Sequence, residues 1–256
     1  MALGAKRSAR AEIRAGMTIY PAWFAAGSVC ATGGLFAWGA LAPRSQLFGG
    51  TLRRLDDASR MAITFDDGPN PAVTPRILEL LDRYNAKATF FLIGRHVRAF
   101  PRLAREIAER GHTIGNHTET HPSLTFLSAA RIAEELERCD DAIAAATGKK
   151  PRWMRPPFGY RSPLLEGIVR RRGGAGVAMW NVAARDWRTH SPEPVIQHLR
   201  RARGGDIVLL HDGDHRVLEG KRGHVLAALE YWLPRWRDAG IQFVNLDEAQ
   251  LKSQAG

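Results

Sequence analysis

Cysteine is scarce in this chain of 256 residues, which contains only two. Cys30 lies in an apolar run and Cys139 within a helical pattern. Two isolated cysteines exclude a disulfide framework and a zinc site built from cysteine ligands. Internal repeats and low-complexity tracts are also absent from the sequence. A hydrophobic content of 45% and a charged content of 25% are ordinary for a globular protein.

Acidic side chains are in deficit, with 26 Asp and Glu against 37 Lys and Arg and a formal net charge of +11. Such an excess of positive charge suits an anionic neighbour such as a membrane or cell-wall surface, and by itself would also suit nucleic acid. No nucleic-acid recognition motif accompanies the charge, so nucleic acid is not expected as a partner. No pattern in the sequence indicates the oligomeric state.

Charge is absent from residues 17–43, which follow a basic tail of residues 1–16. As a helix this stretch would span about 40 Å, against a hydrocarbon core of about 30 Å. We therefore expect a transmembrane anchor or an uncleaved signal segment, with the main domain outside the cytoplasm in the cell envelope. A cleaved signal peptide and a helix lying on the membrane surface are the alternatives. Ala40-Leu41-Ala42 has the form of a cleavage site, although Pro43 follows it directly.

From about residue 60 the sequence alternates between short apolar runs and amphipathic stretches. Strands are predicted at 62–65, 88–93, 113–116, 153–155, 176–181, 206–210 and 242–246. Helices are predicted at 75–84, 97–110, 128–147, 163–172, 192–203 and 223–239, with Ser128 and Gly148 as caps of the third. This alternation predicts parallel strands joined by crossover helices. The expected fold is α/β, a distorted (β/α) barrel of seven strands over residues 60–250, preceded by an N-terminal apolar helix.

Two adjacent carboxylates, Asp66 and Asp67, follow the first predicted strand and precede Gly68-Pro69. The Gly-Pro pair ends the strand in a turn, so both aspartates lie at its carboxyl end. In parallel α/β folds, sites are built at that edge of the sheet. On an ordinary loop the same pair would be solvated surface residues. The residues that follow the other strands therefore decide whether the pair belongs to a functional site or to the surface.

Two histidines, His117 and His121, follow the third predicted strand. Four residues apart, they would meet on one face of a helical turn, and neutral imidazoles are good zinc ligands. A zincin protease is not supported, because Thr118 stands where that motif has its glutamate. A bare pair of histidines is more often structural than metal-binding. Whether this pair binds a metal therefore depends on which residues follow the other strands.

Further polar residues follow three later strands. Arg155 lies in a proline-rich turn over residues 153–160, Asp186-Trp187 follows the strand at 176–181, and His211 follows the strand at 206–210. Together with the earlier groups, they place three carboxylates, three histidines, an arginine and a tryptophan at one end of one sheet.

Five ordered blocks give the sequence a specific resemblance to a known family. They are Thr64-Phe65-Asp66-Asp67-Gly68-Pro69, His117-Thr118-Glu119-Thr120-His121, Arg155-Pro156-Pro157-Phe158-Gly159, Asp186-Trp187 and Leu209-Leu210-His211. The sequence resembles the polysaccharide deacetylases of carbohydrate esterase family 4, also called the NodB homology domain, over roughly residues 60–248. Residues 88–94 are similar to the second strand of that family.

The resemblance implies a metal site and a set of catalytic residues. Asp67, His117 and His121 would bind a divalent metal, with zinc expected first and cobalt or manganese possible in the same ligand set. Asp66 would be the general base, and His211 would be the general acid that protonates the leaving amine. By the same resemblance, the remaining catalytic residues are Arg155, which would orient Asp66, and Asp186, which would tune His211.

The resemblance also implies how substrate binds. The backbone N–H of Phe158 would help to hold the developing oxyanion, and Trp187 and Leu209 would line a pocket for the acetyl methyl group. Pro157 is included among the substrate-binding residues because it belongs to the same turn. A surface or structural role is expected for the other histidines, which are His96, His112, His190, His198, His215 and His224. Contact with substrate is an alternative for His215, and for Asp214, because both lie close to His211 in the sequence.

The implied activity is metal-dependent removal of N-acetyl groups from N-acetylglucosamine units of an acetylated glycan such as peptidoglycan, chitin or an exported polysaccharide. Two alternatives stay within the family: a deacylase of a lipid-linked sugar and an O-acetyl xylan esterase. A third alternative is a glycan-binding module that keeps the fold without turnover. The expected partners are the acetylated glycan and, through the N-terminal segment, the membrane.

Overall fold

One curled sheet of parallel strands organises the chain in the computed structural model, which describes residues 31–253. Its strands are β1 (Thr51–Leu52), β2 (Arg60–Gly68), β3 (Ala88–Leu92), β4 (Thr113–Asn116), β5 (Trp153–Met154), β6 (Gly176–Ala178), β7 (Val182–Ala183), β8 (Ile207–His211) and β9 (Gln242–Phe243). Every pairing between these strands is parallel. The predicted α/β fold with a parallel sheet is therefore confirmed.

The strand order is β1-β6-β5-β4-β3-β2-β8-β7, and β9 also pairs with β2. Within the described part of the chain the two end strands, β1 and β7, do not pair with each other, so the barrel is open. All seven predicted strands are present, and the two-residue strands β1 and β7 extend the sheet beyond them. Both additions are too short to show a period of two in the sequence.

Eight helices follow the strands. They are α1 (Thr74–Arg83), α2 (Gly94–Ala99), α3 (Pro101–Glu109), α4 (Ala129–Thr147), α5 (Leu165–Arg171), α6 (Pro192–Leu199), α7 (Gly223–Asp238) and α8 (Leu246–Ser253). The single helix predicted over 97–110 is wrong, because the chain breaks between α2 and α3 at Phe100, which has φ −131° and ψ 59°. Pro101 disfavours helical geometry at the residue before it, which explains the break.

Strand β2 lies at the centre of the core and is buried along its whole length. It pairs with β3 on one side and β8 on the other. Helices cover the sheet, so its strands are continuous apolar runs rather than alternating ones. Phe65 of β2 stacks on Phe90 of β3 with ring centroids 4.9 Å apart. The rigid centre of the sheet therefore leads directly into Asp66 and Asp67.

The N-terminal region of the described chain packs against the domain. Residues 31–41 are helical, and the backbone N–H of buried Arg161 donates to the Ala40 carbonyl over 2.9 Å. The Arg161 guanidinium also donates to the carbonyls of Gly39 and Ser45. No helix between residues 31 and 253 has the length and apolarity needed to cross a bilayer. The predicted basic tail and residues 17–30 of the predicted anchor lie outside the described residues.

Helix α4 should lose stability when its N-cap is removed. The Ser128 hydroxyl accepts a hydrogen bond from the Arg131 backbone N–H over 3.2 Å, and Gly148 ends the helix with a φ of 78°. We expect Ser128→Ala to lower the free energy of unfolding by about 1 kcal/mol in urea denaturation. Ser128→Asn keeps a capping acceptor and should stay near wild type. Equal stability of the two variants would contradict this role.

Candidate active site

Asp66 and Asp67 reach one cavity because strand β2 is irregular at its carboxyl end. Successive residues of a regular strand point to opposite faces. Here the register with β3 shifts between Asp66 and Gly68, and Asp67 adopts a left-handed φ of 71°. Both aspartates consequently line the same cavity of about 620 Å³. Asp66 is also in register with His211 on β8, which places a histidine beside the carboxylates.

The histidine pair is held by a loop, so the predicted helical turn is wrong. Residues 117–121 are not helical, and Thr118 and His121 have left-handed φ values of 68° and 62°. Asn116 fixes the loop: its Oδ1 accepts from the Thr118 N–H over 2.7 Å, and its Nδ2 donates to Asp140 over 2.6 Å. The Thr118 hydroxyl in turn accepts from the His121 N–H over 3.0 Å. These bonds bring the two imidazoles together, with ring centroids 4.9 Å apart.

Asp67, His117 and His121 form a group of three converging ligand atoms, all within 4.8 Å of one another. Asp67 Oδ1 lies 3.5 Å from His117 Nε2 and 3.3 Å from His121 Nε2. Within residues 31–253 this buried oxygen has no hydrogen-bond partner. His117 Nδ1 is 2.7 Å from the Arg155 carbonyl oxygen, which can only accept, so Nδ1 carries the proton. The Nε2 lone pair of His117 therefore faces Asp67.

The charges of this group fit a divalent cation. Burial opposes ionisation of Asp67, but its interactions with His117 and His215 and the charge of His211 outweigh burial and hold the pKa of this carboxyl well below its usual range. Burial, with a contribution from His117, lowers the pKa of His121 to about 2. An ionised carboxylate and neutral imidazoles are the protonation states that metal binding requires. The residues present therefore fit the predicted metal site.

Arg155 is fully buried and connects Asp66 to the sheet. Its Nη1 donates to Asp66 Oδ1 over 2.8 Å and to the Thr64 hydroxyl over 2.7 Å. Its other nitrogens donate to the carbonyls of Ala178 and Met179. The guanidinium is thereby satisfied in the interior, and Asp66 is fixed with its Oδ2 3.9 Å from His117 Nε2.

His211 and Asp186 form the opposite wall of the cavity. Asp186 is fully buried and accepts from His211 twice, from the backbone N–H over 2.9 Å and from Nδ1 over 3.0 Å. Burial favours the neutral imidazole, but Asp186, Asp67 and Asp66 outweigh it and raise the pKa of His211 to about 9. His211 is therefore protonated at neutral pH. His224 Nε2 lies 3.0 Å from the Asp186 carbonyl oxygen and supports that turn from behind.

Of the remaining predicted residues, some line this cavity and others lie behind its surface. Phe158, Trp187 and Leu209 line it. Phe158 has a left-handed φ of 59° and lies edge-on to His121, with ring centroids 4.6 Å apart. Pro157 is buried in the same turn and does not line the cavity. Arg155 and Asp186 also lie behind the cavity surface, where they can orient neighbours but not touch a ligand.

Two histidines for which the sequence predicts a surface or structural role contact the candidate metal ligands, and a third, His190, lines the cavity. His215 stacks on His121 with ring centroids 4.3 Å apart, and its Nδ1 lies 3.7 Å from Asp67 Oδ2. His96 is buried, with its Nδ1 3.0 Å from the Asp67 carbonyl oxygen. The nearness of His215 to His211 in sequence is the only signal for the first, and no local pattern indicates the second.

Comparisons with known proteins find similar chains among the polysaccharide deacetylases. The family model for polysaccharide deacetylases matches residues 54–175. A peptidoglycan-N-acetylglucosamine deacetylase of Bacillus cereus is 36% identical over 190 residues, covering 73% of this chain and 86% of the relative. A chitooligosaccharide deacetylase of Azorhizobium caulinodans is 36% identical over 203 residues, covering 76% and 96%.

A solved structure provides a further comparison. A CE4 family pseudoenzyme from Bacillus anthracis matches with a TM-score of 0.69 and 30% identity, covering 78% of this chain and 68% of that one. Because a pseudoenzyme has this fold, the fold alone does not indicate turnover. Turnover depends instead on the side chains in the cavity.

Removing Arg155 should destabilise the fold strongly, because Arg155→Met leaves the Asp66 carboxylate buried without its partner. We expect the free energy of unfolding to fall by about 3–5 kcal/mol in urea denaturation. The double variant Arg155→Met/Asp66→Asn should recover part of this loss, since no unpaired charge remains. Arg102→Met, at an exposed position, is the control and should change stability by less than about 0.5 kcal/mol. A loss no larger than the control would contradict the account.

Protonation of His211 should depend on Asp186. In metal-free protein, NMR titration should give a midpoint near the pKa of about 9. Since the folded pKa exceeds the ordinary one, the His211 contribution to stability should be complete below about pH 6.5 and lost as pH rises toward 9. Asp186→Asn should lower the midpoint below 6.5, because burial of the imidazole remains. Asp141→Asn, at an exposed position, should leave it unchanged, and similar midpoints in all three proteins would contradict the coupling.

Proposed function

The chain belongs to the polysaccharide deacetylase family, carbohydrate esterase family 4, and on that premise we propose that it hydrolyses the N-acetyl group of N-acetylglucosamine units in a cell-envelope glycan. One observation carries the proposal: a cation-binding triad, a fixed carboxylate and a protonated histidine face one cavity. The names of the relatives support an N-acetylated glycan as substrate. Peptidoglycan is the first candidate polymer, and chitin-type oligomers are the second.

We propose that Asp67, His117 and His121 hold a divalent cation, with zinc first and cobalt or manganese as alternatives. Such a cation supplies Lewis-acid chemistry, since it polarises a carbonyl and makes water more acidic. The unpartnered Asp67 Oδ1 and the outward lone pair of His117 support this assignment. His215 stacks on His121 but is not one of the three proposed cation ligands. We assign it to contact with the bound substrate.

Asp66 is suited to act as general base. Arg155 occupies its Oδ1, so Oδ2 remains free to accept a proton from the attacking water. As that proton transfers, the water oxygen bonds to the acetyl carbon. The developing negative charge on the acetyl oxygen would be held beside the triad, with the Phe158 backbone N–H as the proposed donor. Leu209 and Trp187 would enclose the methyl group, and Pro157 would set the position of the turn.

His211 is suited to act as general acid. Its proton is retained at neutral pH because Asp186 accepts from Nδ1, which leaves Nε2–H as the donor toward the cavity. Transfer of that proton to the amide nitrogen lets the C–N bond break, which releases acetate and the free amine of the sugar. Asp186 thus acts through His211 as a positioning residue.

We further propose that the catalytic domain, residues 60–250, works in the cell envelope. The peptidoglycan substrate named for the Bacillus cereus relative supports this location. A membrane anchor within residues 17–43 stays a prediction, for which the uncharged stretch and the basic tail before it are the only support.

Variants of the triad should lose metal and turnover together. We expect Asp67→Asn and His117→Ala to bind little zinc by elemental analysis and to release no measurable acetate from N-acetylglucosamine oligomers, because each removes one of three ligands. Asp141→Asn, an exposed carboxylate, is the matched control and should keep both properties. Full turnover by a metal-free triad variant would contradict the assignment.

Asp66→Asn should separate chemistry from metal binding. The amide keeps the size of the side chain but cannot accept the proton, so kcat should fall by about 100- to 10,000-fold. Zinc content should stay at the wild-type level. Acetate release from N-acetylglucosamine oligomers, soluble peptidoglycan and acetylated xylan, with and without chelator, measures this effect and identifies the substrate. Release from xylan alone would indicate an esterase, and glycan binding without release from any substrate would indicate a non-catalytic module.

A further inference from the structure

A second cavity, of about 990 Å³, adjoins the active-site cavity. Trp180 lines both, so the two cavities meet at this residue. The walls of the second cavity come from the segment after the N-terminal helix, from strand β7 and from the end of helix α6. A polymer with one sugar in the active site could therefore extend over Trp180 into this second space.

Arginine dominates the lining of this cavity, which we call the arginine cleft. It is lined by Arg44, Arg53, Arg185, Arg200 and Arg201 and by no aspartate or glutamate. Across residues 31–253 none of the five forms an ion pair with a carboxylate, whereas neighbouring Arg54 pairs with Asp206 over 3.2 Å. A concentration of positive charge without counter-charges attracts anions from solution.

At Arg53 the positive charge of the arginine cleft lacks a hydrogen-bond partner and a neighbouring carboxylate among the described residues. Its side chain is half-buried, and its buried Nε has no hydrogen-bond partner in the described chain. Burial and the neighbouring Arg44 both lower the pKa of Arg53 from its ordinary value. Arg161 adds charge nearby, and Arg53 contributes to lowering its pKa as well. A buried donor of this kind costs free energy while it has no acceptor, so the positive charge at Arg53 is not offset within that part of the chain.

Aromatic rings accompany the arginines. Trp38 is 44% exposed, and the Arg44 guanidinium lies 5.1 Å from the centre of its ring. The apolar C–H face of a sugar packs well on an indole, and the planar guanidinium matches a carboxylate with two parallel hydrogen bonds. The cleft thus combines the two groups needed to recognise a sugar that carries a carboxylate.

Residues 1–30 contain one acidic side chain, Glu12, against four basic ones, Lys6, Arg7, Arg10 and Arg14. The concave shape and the shared wall with the active site favour a ligand that enters the cavity over a flat bilayer surface.

We propose that the arginine cleft binds carboxylate groups on the same glycan strand whose N-acetyl unit occupies the active site. This inference rests on the proposed function and narrows it. The preferred substrate is a carboxylate-bearing polymer, such as peptidoglycan with the carboxylates of its stem peptides, over a neutral chitin-type oligomer. The arginines act on binding of the strand and not on the chemical step.

The test compares two triple variants of the full chain, each lacking three positive charges. Arg44→Gln/Arg200→Gln/Arg201→Gln removes exposed arginines of the cleft, and Arg83→Gln/Arg102→Gln/Arg152→Gln removes exposed arginines elsewhere. For soluble peptidoglycan oligomers, the cleft variant should raise KM by about tenfold with kcat unchanged. For neutral N-acetylglucosamine oligomers of equal length, KM should stay within about twofold. The control variant should behave as wild type on both substrates.

Three results would overturn the inference. The first is an equal rise in KM on both substrates, and the second is an equal effect of the two triple variants. The third is unchanged KM combined with lost binding of the cleft variant to phosphatidylglycerol vesicles, which would assign the cleft to a membrane surface.

A binding measurement separates this inference from the proposed function. Affinity for the peptidoglycan oligomer is measured in the Asp66→Asn background, with and without the cleft substitutions. Weaker binding caused by the cleft substitutions would support the cleft even if wild type released no acetate. If both substrates release acetate and the cleft substitutions change neither affinity nor KM, the proposed function is supported and the inference about the arginine cleft is overturned.

Discussion

The buried ion pair between Arg155 and Asp66 is the interaction on which the site depends. A single guanidinium bonds to the side chains of Thr64 and Asp66 on β2 and to the carbonyls of Ala178 and Met179 at the end of β6. It therefore fixes two strand ends that are not neighbours in the sheet. Because the Arg155 carbonyl also accepts from His117 Nδ1, the same residue orients one of the three candidate metal ligands.

The cavity is divided into two electrostatic environments. On one side, burial and the neighbouring His117 lower the pKa of His121 to about 2, so this imidazole stays neutral. On the other side, Asp186 keeps His211 charged. Histidines in one cavity are thus suited to the opposite purposes proposed for them, as lone-pair donors and as a proton donor. Their backbone and carboxylate partners decide which purpose each serves.

Much of this arrangement is predictable from sequence, because a parallel sheet brings the residues after each strand to one edge. Asp66, His117, Arg155 and His211 illustrate this, since each lies at the end of a predicted strand or directly after it. The loop from His117 to His121 is not predictable in the same way. Its left-handed residues are held by Asn116, whose own partners lie on helix α4, and a spacing of four suggests a helix instead. The roles of His96 and the arginine cleft likewise depend on segments far apart in sequence.

The central claim is that one cation at Asp67, His117 and His121 is needed for deacetylation in this cavity. Zinc titration into metal-free full-length chain, with acetate release from N-acetylglucosamine oligomers followed at each point, tests it most directly. Activity is predicted to rise from zero and to level off at about one bound zinc per chain. Acetate release at full rate before any metal is added would contradict it.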